Sequence, residues 1–310
     1  MENSSAVAIF TLHGLNETWA NTLIFFALAL LAYLLIIILN LTLITTIIIE
    51  KTLHEPMYIF LCNLCVNGLY GTAGLFPKLL ADFLSDSHVI SYAGCYLQIF
   101  IIYSSVLCEF TILTVMAYDR YVAICKPLQY NSIMTSQTIS KFILVSWIFP
   151  FCEQTIGICL SAQLPLCGSH IDKLYCDNWS IVKLSCVDIT INNLYGYIVI
   201  VINFSQALFI VFSYIQIAGA SLRSSEDRNK FMQTCVPHLI SVINFSITMF
   251  FDLMYSRYGS RNMPQALRNF LAVEFLLIPP LLNPLIYGLK LSQIRRRVMR
   301  VFSRKCDILK

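Results

Sequence analysis

Charged residues are scarce in this chain. Only 12% of its 310 residues are Asp, Glu, Lys or Arg, whereas 57% are hydrophobic. A soluble domain rarely has so few charges. The apolar residues also come in long blocks, and roughly 20 such residues suffice to cross about 30 Å of hydrocarbon. The composition therefore argues against a soluble domain and predicts a membrane protein.

The signatures of common catalytic sites are also missing. The sequence has no HExxH zinc motif, no GxSxG nucleophile motif and no Walker loop. It shows no internal repeat, inverted or parallel, of the kind that builds many secondary transporters. We therefore expect no enzyme, no cofactor and no metal, although sodium near Glu109 is left open. The +4 net charge reflects membrane topology, and no nucleic-acid partner is expected.

Seven apolar blocks predict an all-α bundle of seven transmembrane helices within residues 23–288. Two of the blocks, near 58–80 and 266–288, are weaker because small, polar and Pro residues interrupt them. The expected spans are 23–49, 57–80, 92–122, 138–160, 191–218, 231–256 and 266–288. Residues 1–22 lack the pattern of a cleaved signal. They are expected to form an extracellular N-terminus, with the first helix as its own insertion signal.

Basic residues indicate the orientation. With the N-terminus outside, 15 of the 21 Lys and Arg residues fall on the inner side. The other six are Lys78, Lys173, Lys183, Arg257, Arg261 and Arg268. Because cytoplasmic loops carry the excess of positive charge, this bias predicts that the N-terminus lies outside.

Glycosylation sequons agree with this orientation. Asn3, Asn16 and Asn178 each begin an Asn-x-Ser/Thr triplet in a segment predicted to be external. The further matches at Asn40, Asn203 and Asn244 lie inside predicted helices, out of reach of the glycosylating enzyme.

One connection is long, and it is rich in cysteine. Residues 161–190 form a long extracellular loop that contains Cys167, Cys176 and Cys186, and Cys95 stands at the outer start of the third helix. Four external cysteines in an oxidising compartment predict two disulfides, for which sequence allows three pairings. A link to Cys95 would hold the loop as a lid over the outer mouth.

Residues 289–310 form a basic cytoplasmic tail. Leu289, Ile294, Val298, Val301 and Phe302 form an apolar stripe against Arg and Lys, which predicts a short amphipathic helix on the inner leaflet after the seventh span. Cys306 suits palmitoylation and a free thiol equally well.

Polar residues inside the predicted helices form a layer near the middle of the membrane. Glu109 lies about 16 Å from Arg120 along the third helix, and Asn40, Asn67 and Asn283 can reach the same depth. A carboxyl group there must be protonated, paired or bound to a cation. A neutral Glu109 that bonds to a neighbouring helix and a Glu109 with an ion- or proton-linked role are equal alternatives.

The motifs together are specific to one family. The sequence carries LHEPMY at residues 53–58, MAYDRYVAICKPLQY at 116–130, SY at 213–214, KFMQTCVPH at 230–238 and PPLLNPLIYGLK at 279–290. With Cys95 opening the third helix, these motifs resemble the odorant receptors among the rhodopsin-like G-protein-coupled receptors, over essentially the whole chain. The sequence departs from the family at three places. Leu39 replaces the usual Gly before the first-helix Asn, and Asn67 or Gly68 stands where the family has a second-helix Asp. Phe245-Ser246-Ile247 replaces the family's aromatic-Tyr-Gly in the sixth helix. The missing Asp weakens the case for sodium near Glu109.

The resemblance implies several sites. It pairs Cys95 with Cys176 and Cys167 with Cys186, and it places the ligand in the outer half of the bundle, under the long loop. The implied lining residues are Gln98, Ile99, Ile102, Tyr103, Val106, Val199, Ile202, Asn203, Gln206, Met249, Phe250, Leu253, Arg257, Val273 and Leu277. The implied switch and G-protein-coupling residues are Asp119, Arg120, Tyr121, Lys126, Pro127, Tyr214, Lys230, His238, Asn283, Pro284 and Tyr287.

The implied lining also suggests a ligand class. Amine receptors carry an Asp where this chain has Ile102, which argues against a classical amine site. The mostly apolar lining favours a small apolar molecule with one or two hydrogen bonds. Arg257 can either clamp a carboxylate or face water. Asp252 can pair with Arg257 or meet a cation.

The resemblance thus implies an odorant receptor that activates a stimulatory olfactory G protein and raises cyclic AMP. The alternatives are a rhodopsin-like receptor for a non-odorant molecule in another tissue and, less favoured, a transporter or channel. Export chaperones, arrestin and membrane lipids are further expected partners. The expected location is the plasma membrane of olfactory cilia.

Overall fold

A computed structural model describes residues 9–14, 19–221, 225–258 and 265–290. Two short helices, α4 (Tyr130–Ile133) and α6 (Asn178–Val182), lie in its connections. The bundle itself consists of α1 (Trp19–Ile49), α2 (Pro56–Phe83), α3 (Tyr92–Cys125), α5 (Ser136–Ala162), α7 (Thr190–Ser221), α8 (Ser225–Tyr258) and α9 (Gln265–Lys290).

These helices match the seven predicted spans and extend beyond them at several ends. Within the described residues, α1, α2, α3, α5 and α7 are long and apolar enough to cross a membrane. In α8 and α9 the apolar stretches are shorter, at His238–Asp252 and Val273–Tyr287. The prediction that the block at 58–80 is weaker than the others is confirmed, because α2 is the least apolar of these five helices.

Local sequence signals set several helix starts. Ser91 precedes α3, and its hydroxyl accepts a hydrogen bond from the Gly94 N–H at 3.1 Å. Thr135 caps α5 in the same way, accepting from the Thr138 N–H at 3.3 Å. Pro56 opens α2, where its missing N–H costs nothing. Such caps satisfy amides that have no partner within the helix.

α3 lies at the centre of the bundle, where it packs against α2, α5, α7 and α8. Its buried side chains join one apolar cluster that continues through α2 and α9. α1 and α7, by contrast, expose large apolar side chains outward, among them Leu28, Ile38, Val201 and Phe204. Such an outer surface suits lipid rather than water.

A small sheet covers the end of the bundle that carries the long loop, which we call the loop end. Its central strand β1 (Ile9–Leu12) pairs antiparallel with β2 (Val89–Ser91) and parallel with β3 (His170–Ile171). Phe10 and Leu12 are buried in a second apolar cluster beneath this sheet. Part of the predicted extracellular N-terminus is therefore a structural element of this cover.

Two disulfides hold the cover in place. Cys95 of α3 is bonded to Cys176, with the Cα atoms 5.5 Å apart, and Cys167 is bonded to Cys186 at 5.3 Å. These are the two pairs that the family resemblance implies. The first links α3 to the middle of the long loop, whereas the second closes a hairpin within the loop.

Cys95→Ser should reduce the surface level of the receptor more than Cys167→Ser. The two cross-links span 81 and 19 residues. By restricting the unfolded chain they should add about 4.5 and about 3 kcal/mol to the free energy of unfolding. Antibody staining of an N-terminal tag on intact cells measures both variants. A Cys95→Ser receptor at the wild-type surface level would contradict the anchoring role of this bond.

Candidate ligand cavity and helix switch

The long loop descends into the middle of the loop end. Tyr175 is fully buried there, and its ring meets the edge of Phe275 in α9 with centroids 6.4 Å apart. The next residue, Cys176, donates its backbone N–H to Gln98 Oε1 of α3 at 2.9 Å. We call residues 173–177 the plug. Because the plug fills the space against α9, the open volume at this end lies towards α5 and α7.

A buried ion cluster joins the plug to α8. Lys173 is only 9% exposed, and its Nζ lies 3.3 Å from Asp177 Oδ2, 3.5 Å from Asp252 Oδ1 and 2.8 Å from Ser256 Oγ. Burial alone would lower the pKa of Lys173, but the carboxylates of Asp177 and Asp252 outweigh it and raise that pKa. Lys173 is thus the cation that Asp252 meets, in place of Arg257.

Lys173→Met should destabilise the receptor strongly, by about 3–5 kcal/mol, because it leaves two buried carboxylates without their cation. The melting temperature of purified receptor measures the loss. Adding Asp252→Asn to Lys173→Met should recover part of it. A single variant that melts like the wild type would show that the cluster does not hold the loop.

A cavity of about 160 Å³ opens beside the plug, between α3, α5, α7, α8 and α6. Apolar atoms form most of its wall, with charged and polar groups set among them. Its lining residues are Tyr103, Leu107, Glu153, Gln154, Gly157, Leu160, Asp177, Asn178, Trp179, Val182, Asn192, Tyr195, Gly196, Val199, Ile200, Asp252, Ser256 and Arg257.

Three of the predicted lining residues, Tyr103, Val199 and Arg257, lie in the wall of this cavity. Most of the other predicted positions on α3 are packed: Ile99 joins the cluster under the sheet, and Ile102 and Val106 join the main core. Gln98 is bonded to the plug and, through Nε2, to the Gly74 carbonyl at 3.0 Å. These four residues shape the bundle and do not line the cavity.

The predicted positions on the other helices lie elsewhere. Phe250 is 65% exposed on the outer surface of α8. The prediction that it lines the pocket was therefore wrong, because α8 is rotated about its axis relative to the expected orientation. Asn203 donates to Val199 O within α7, and Gln206 accepts from Thr114 at 3.4 Å. Ile202 is half-buried and lies outside the cavity wall. The core contacts three further predicted residues, Met249, Val273 and Leu277. The side chain of Leu253 lies outside the described residues.

The prediction omitted α5 and α6 from the cavity. Glu153 of α5 is a buried carboxyl group in the wall, and Asn178 and Trp179 of α6 stand beside it. The signal for Glu153 was present in the sequence. It is an acid inside the fourth apolar block, and an ionisable residue at such a position is a functional candidate by default. Asn178 and Trp179 gave no comparable signal because their loop has no regular period.

Arg257 extends across the cavity wall towards aromatic rings. Its guanidinium carbon lies 4.4 Å from the ring centre of Trp179 and 5.0 Å from that of Tyr197. Nη1 donates to Asn193 Oδ1 at 3.4 Å. Gly196 makes this approach possible, because a Cβ there would stand 2.2 Å from Arg257 Nη2. The rings hold the cation without neutralising it.

At the opposite end of the bundle, Asp119 and Arg120 form an ion pair. Arg120 Nε donates to Asp119 Oδ2 at 2.9 Å, and Arg120 Nη2 bonds to the same oxygen. The other oxygen of Asp119 accepts from the Tyr130 hydroxyl at 2.7 Å. Burial and the neighbouring Asp119 raise the pKa of Tyr130, so this donor keeps its proton. Tyr130 was not predicted as part of the site.

A second contact crosses the bundle nearby. The Tyr214 hydroxyl lies 2.6 Å from His238 Nδ1, and His238 Nε2 lies 3.1 Å from the Leu113 carbonyl oxygen. Since a carbonyl only accepts, Nε2 carries the proton and Nδ1 accepts from Tyr214. His238 thereby links α8 to both α7 and α3.

The other predicted switch residues lie at this end or close to it. Tyr287 is fully buried and Pro284 is in the interior of α9. Pro127 starts a short 3-10 helix, and Lys126 Nζ lies 5.8 Å from the centre of the Tyr121 ring. Lys230 falls within α8, rather than before it, and its side chain lies outside the described residues.

The predicted polar layer is assembled from interhelical bonds. Asn283 donates to Glu109 Oε1 at 3.0 Å, Asn40 donates to the Pro280 carbonyl at 2.9 Å, and Asn67 donates to the Ser105 carbonyl at 2.9 Å. These bonds join α9 to α3, α1 to α9 and α2 to α3. Among the described residues, no group of three or more His, Cys, Asp or Glu side chains suits a metal ion.

The glycosylation prediction is affected only at Asn178. Its side chain is half-buried and lines the cavity, a position that opposes a glycan. Asn3, Asn16 and the predicted amphipathic tail helix lie outside the described residues.

The fold is thus a bundle of seven long helices with a partly apolar cavity at one end and a buried ion pair at the other. A family model for olfactory receptors matches residues 29–305. The human olfactory receptor 52B2 is 36% identical over 276 residues, covering 88% of this chain and 85% of that protein. The human olfactory receptor 13D1 is 35% identical over 312 residues, covering 99% and 89%. The mouse olfactory receptor 5M5 is 35% identical over 308 residues, covering 97% and 95%.

The chain belongs to the olfactory receptor family of G-protein-coupled receptors. It is therefore a multi-pass membrane receptor and not an enzyme.

Proposed function

We propose that this receptor binds small odorants in the cavity between α3, α5, α7, α8 and the long loop, and that binding activates a stimulatory olfactory G protein. The observation that carries the proposal is the position of the cavity. Its wall is mostly apolar and carries a few charged and polar groups, as expected of a small-molecule site. α8 forms part of this wall and also reaches the Tyr214 contact at the opposite end.

α8 supplies the mechanical connection between the two ends. Asp252, Ser256 and Arg257 lie at the cavity, and His238 lies about 21 Å away along the same helix, at 1.5 Å per residue. A ligand that binds one position of α8 more tightly than another shifts the receptor towards that position. An outward movement of the His238 end would break its contacts with Tyr214 and Leu113 and admit the G protein.

The Asp119–Arg120 pair acts as the latch of this switch. In the described state Asp119 is fully buried and holds Arg120 together with Tyr130. Release of Arg120 would present a cation to the G protein in the cleft that α8 opens. The basic bias of the sequence supports a cytoplasmic position for this end and an outside position for the N-terminus. We further propose that the receptor lies in the membrane of olfactory cilia, where it contacts lipids, and that it interacts with export chaperones and arrestin.

Arg120→Ala should abolish the cyclic AMP response and leave the surface level largely intact, because the cation that meets the G protein is lost. Asp119→Asn should raise cyclic AMP without ligand, because the neutral amide holds Arg120 more weakly. A luminescent cyclic AMP reporter and surface staining measure both. A normal odorant response in Arg120→Ala would exclude the latch.

Val199→Trp should raise the half-maximal concentration of an activating odorant at least tenfold, because the indole occupies the cavity. The odorant is first found by screening wild-type cells with mixtures, and dose–response curves are then compared. Phe250→Ala is the matched control, since Phe250 faces outward from α8 and its loss should leave the curve in place. Equal curves for wild type and Val199→Trp would place the ligand elsewhere.

A further inference from the structure

A buried carboxyl group in the cavity wall has no partner. Glu153 of α5 is 6% exposed and lines the cavity, and its Oε1 makes no hydrogen bond. Within the described residues, no cation lies at ion-pair distance from it. The Tyr195 hydroxyl comes close but donates to the backbone oxygen of Glu153, at 2.6 Å. An unpaired buried acceptor of this kind is costly and calls for a donor.

Two further acceptors on the same wall are unsatisfied. Asp177 uses Oδ2 to hold Lys173, but its buried Oδ1 has no partner, and neither has Oδ1 of Asn178. Both residues line the cavity with Glu153. Lys173 does not fill this need, because its three donors already face Asp177, Asp252 and Ser256. The wall therefore offers several buried oxygen atoms to a ligand that donates.

The same cavity also contains unsatisfied donors. Arg257 has five N–H groups, of which one is bonded to Asn193, and among the described residues no carboxylate pairs with it. Trp179, beneath the guanidinium, has a buried Nε1–H without an acceptor. A carboxylate suits this pair, because guanidinium groups bind carboxylates through two parallel hydrogen bonds.

Neither a simple acid nor a simple amine satisfies both the unpaired acceptors and the unpaired donors of the cavity. A carboxylic acid would satisfy Arg257 and Trp179 but leave Glu153 unpaired and repel it. An amine would satisfy Glu153 and leave Arg257 unpaired. The volume of about 160 Å³ is well above the roughly 10–15 Å³ that a single water requires. One small molecule with both groups can therefore fit.

We propose that the cavity selects small zwitterions that carry an ammonium group and a carboxylate on a short apolar skeleton. The ammonium group binds Glu153, with oxygen atoms of Asp177 and Asn178 as further acceptors. The carboxylate binds Arg257 and Trp179. This inference rests on the proposed odorant function and gives it a ligand class. It agrees with the expectation, drawn from Ile102 on α3, that a classical amine site is absent, because the ammonium group binds Glu153 on α5 instead.

The test compares compounds of one skeleton. Cells that express the full-length receptor are exposed to 2-, 4- and 6-aminohexanoic acid, which vary the separation of the two charges, and to hexanoic acid and hexylamine, which carry one charge each. Cyclic AMP is measured over a range of concentrations. We expect one of the three amino acids to act at a concentration at least tenfold lower than both hexanoic acid and hexylamine.

Two variants assign the charges. Glu153→Gln retains the size of the side chain and removes its charge, so the half-maximal concentration of the active amino acid should rise at least tenfold, while hexanoic acid should act as before or better. Arg257→Gln should weaken the same amino acid and spare hexylamine. A purely structural role for either residue would weaken all compounds alike and lower the surface level.

The inference is overturned if hexanoic acid or hexylamine matches the best amino acid, if Glu153→Gln leaves that amino acid unaffected, or if none of the five compounds activates the receptor. These outcomes leave the proposed function intact, because the Val199→Trp comparison uses any odorant found by screening. If Val199→Trp and Glu153→Gln both leave the dose–response curve of an activating compound unchanged, the cavity itself is not the binding site.

Discussion

The bond between Cys95 and Cys176 fixes the position of almost everything at the loop end. It attaches the middle of a long loop to the central helix, and Gln98 holds the adjoining backbone N–H from the same face of α3. With Cys176 so placed, Tyr175 is driven between α3 and α9, and Lys173 reaches the two carboxylates that it joins. The cavity is the space that this arrangement leaves open beside α5 and α7.

The same arrangement determines the electrostatics of the site. Lys173 offsets one of the two carboxylate charges between the plug and α8, and the cavity wall carries two further charged groups outside this cluster, Glu153 and Arg257. In a low-dielectric interior such groups act strongly on a ligand of matching charge. Because α8 carries Arg257 at the cavity and His238 at the Tyr214 contact, a ligand that displaces α8 would also act on the proposed switch.

The positions of the helices and of the local motifs could be predicted from the sequence, whereas the directions of the side chains around the cavity could not. Hydrophobic blocks located the seven helices, and the motifs around Asp119 and Asn283 indicated the residues of the ion pair and of the polar layer, since these depend on local pattern. The cavity depended on where one loop folds back. Tyr175 packs against Phe275 on α9, the helix on which Val273 and Leu277 were expected to line the site, and Phe250 faces outward from α8. Such tertiary choices leave no periodic trace in a sequence.

Protection of engineered cysteines tests the central claim, that the plug displaces the ligand towards α5 and α7. Val199→Cys and Val273→Cys place one thiol in the cavity wall and one on α9, in a background where the exposed Cys152 and Cys159 are replaced by alanine. The rate of labelling by a small thiosulfonate is measured on intact cells with and without an activating ligand. The account predicts that the ligand slows labelling at position 199 and leaves position 273 unchanged. Protection at position 273 alone would contradict it.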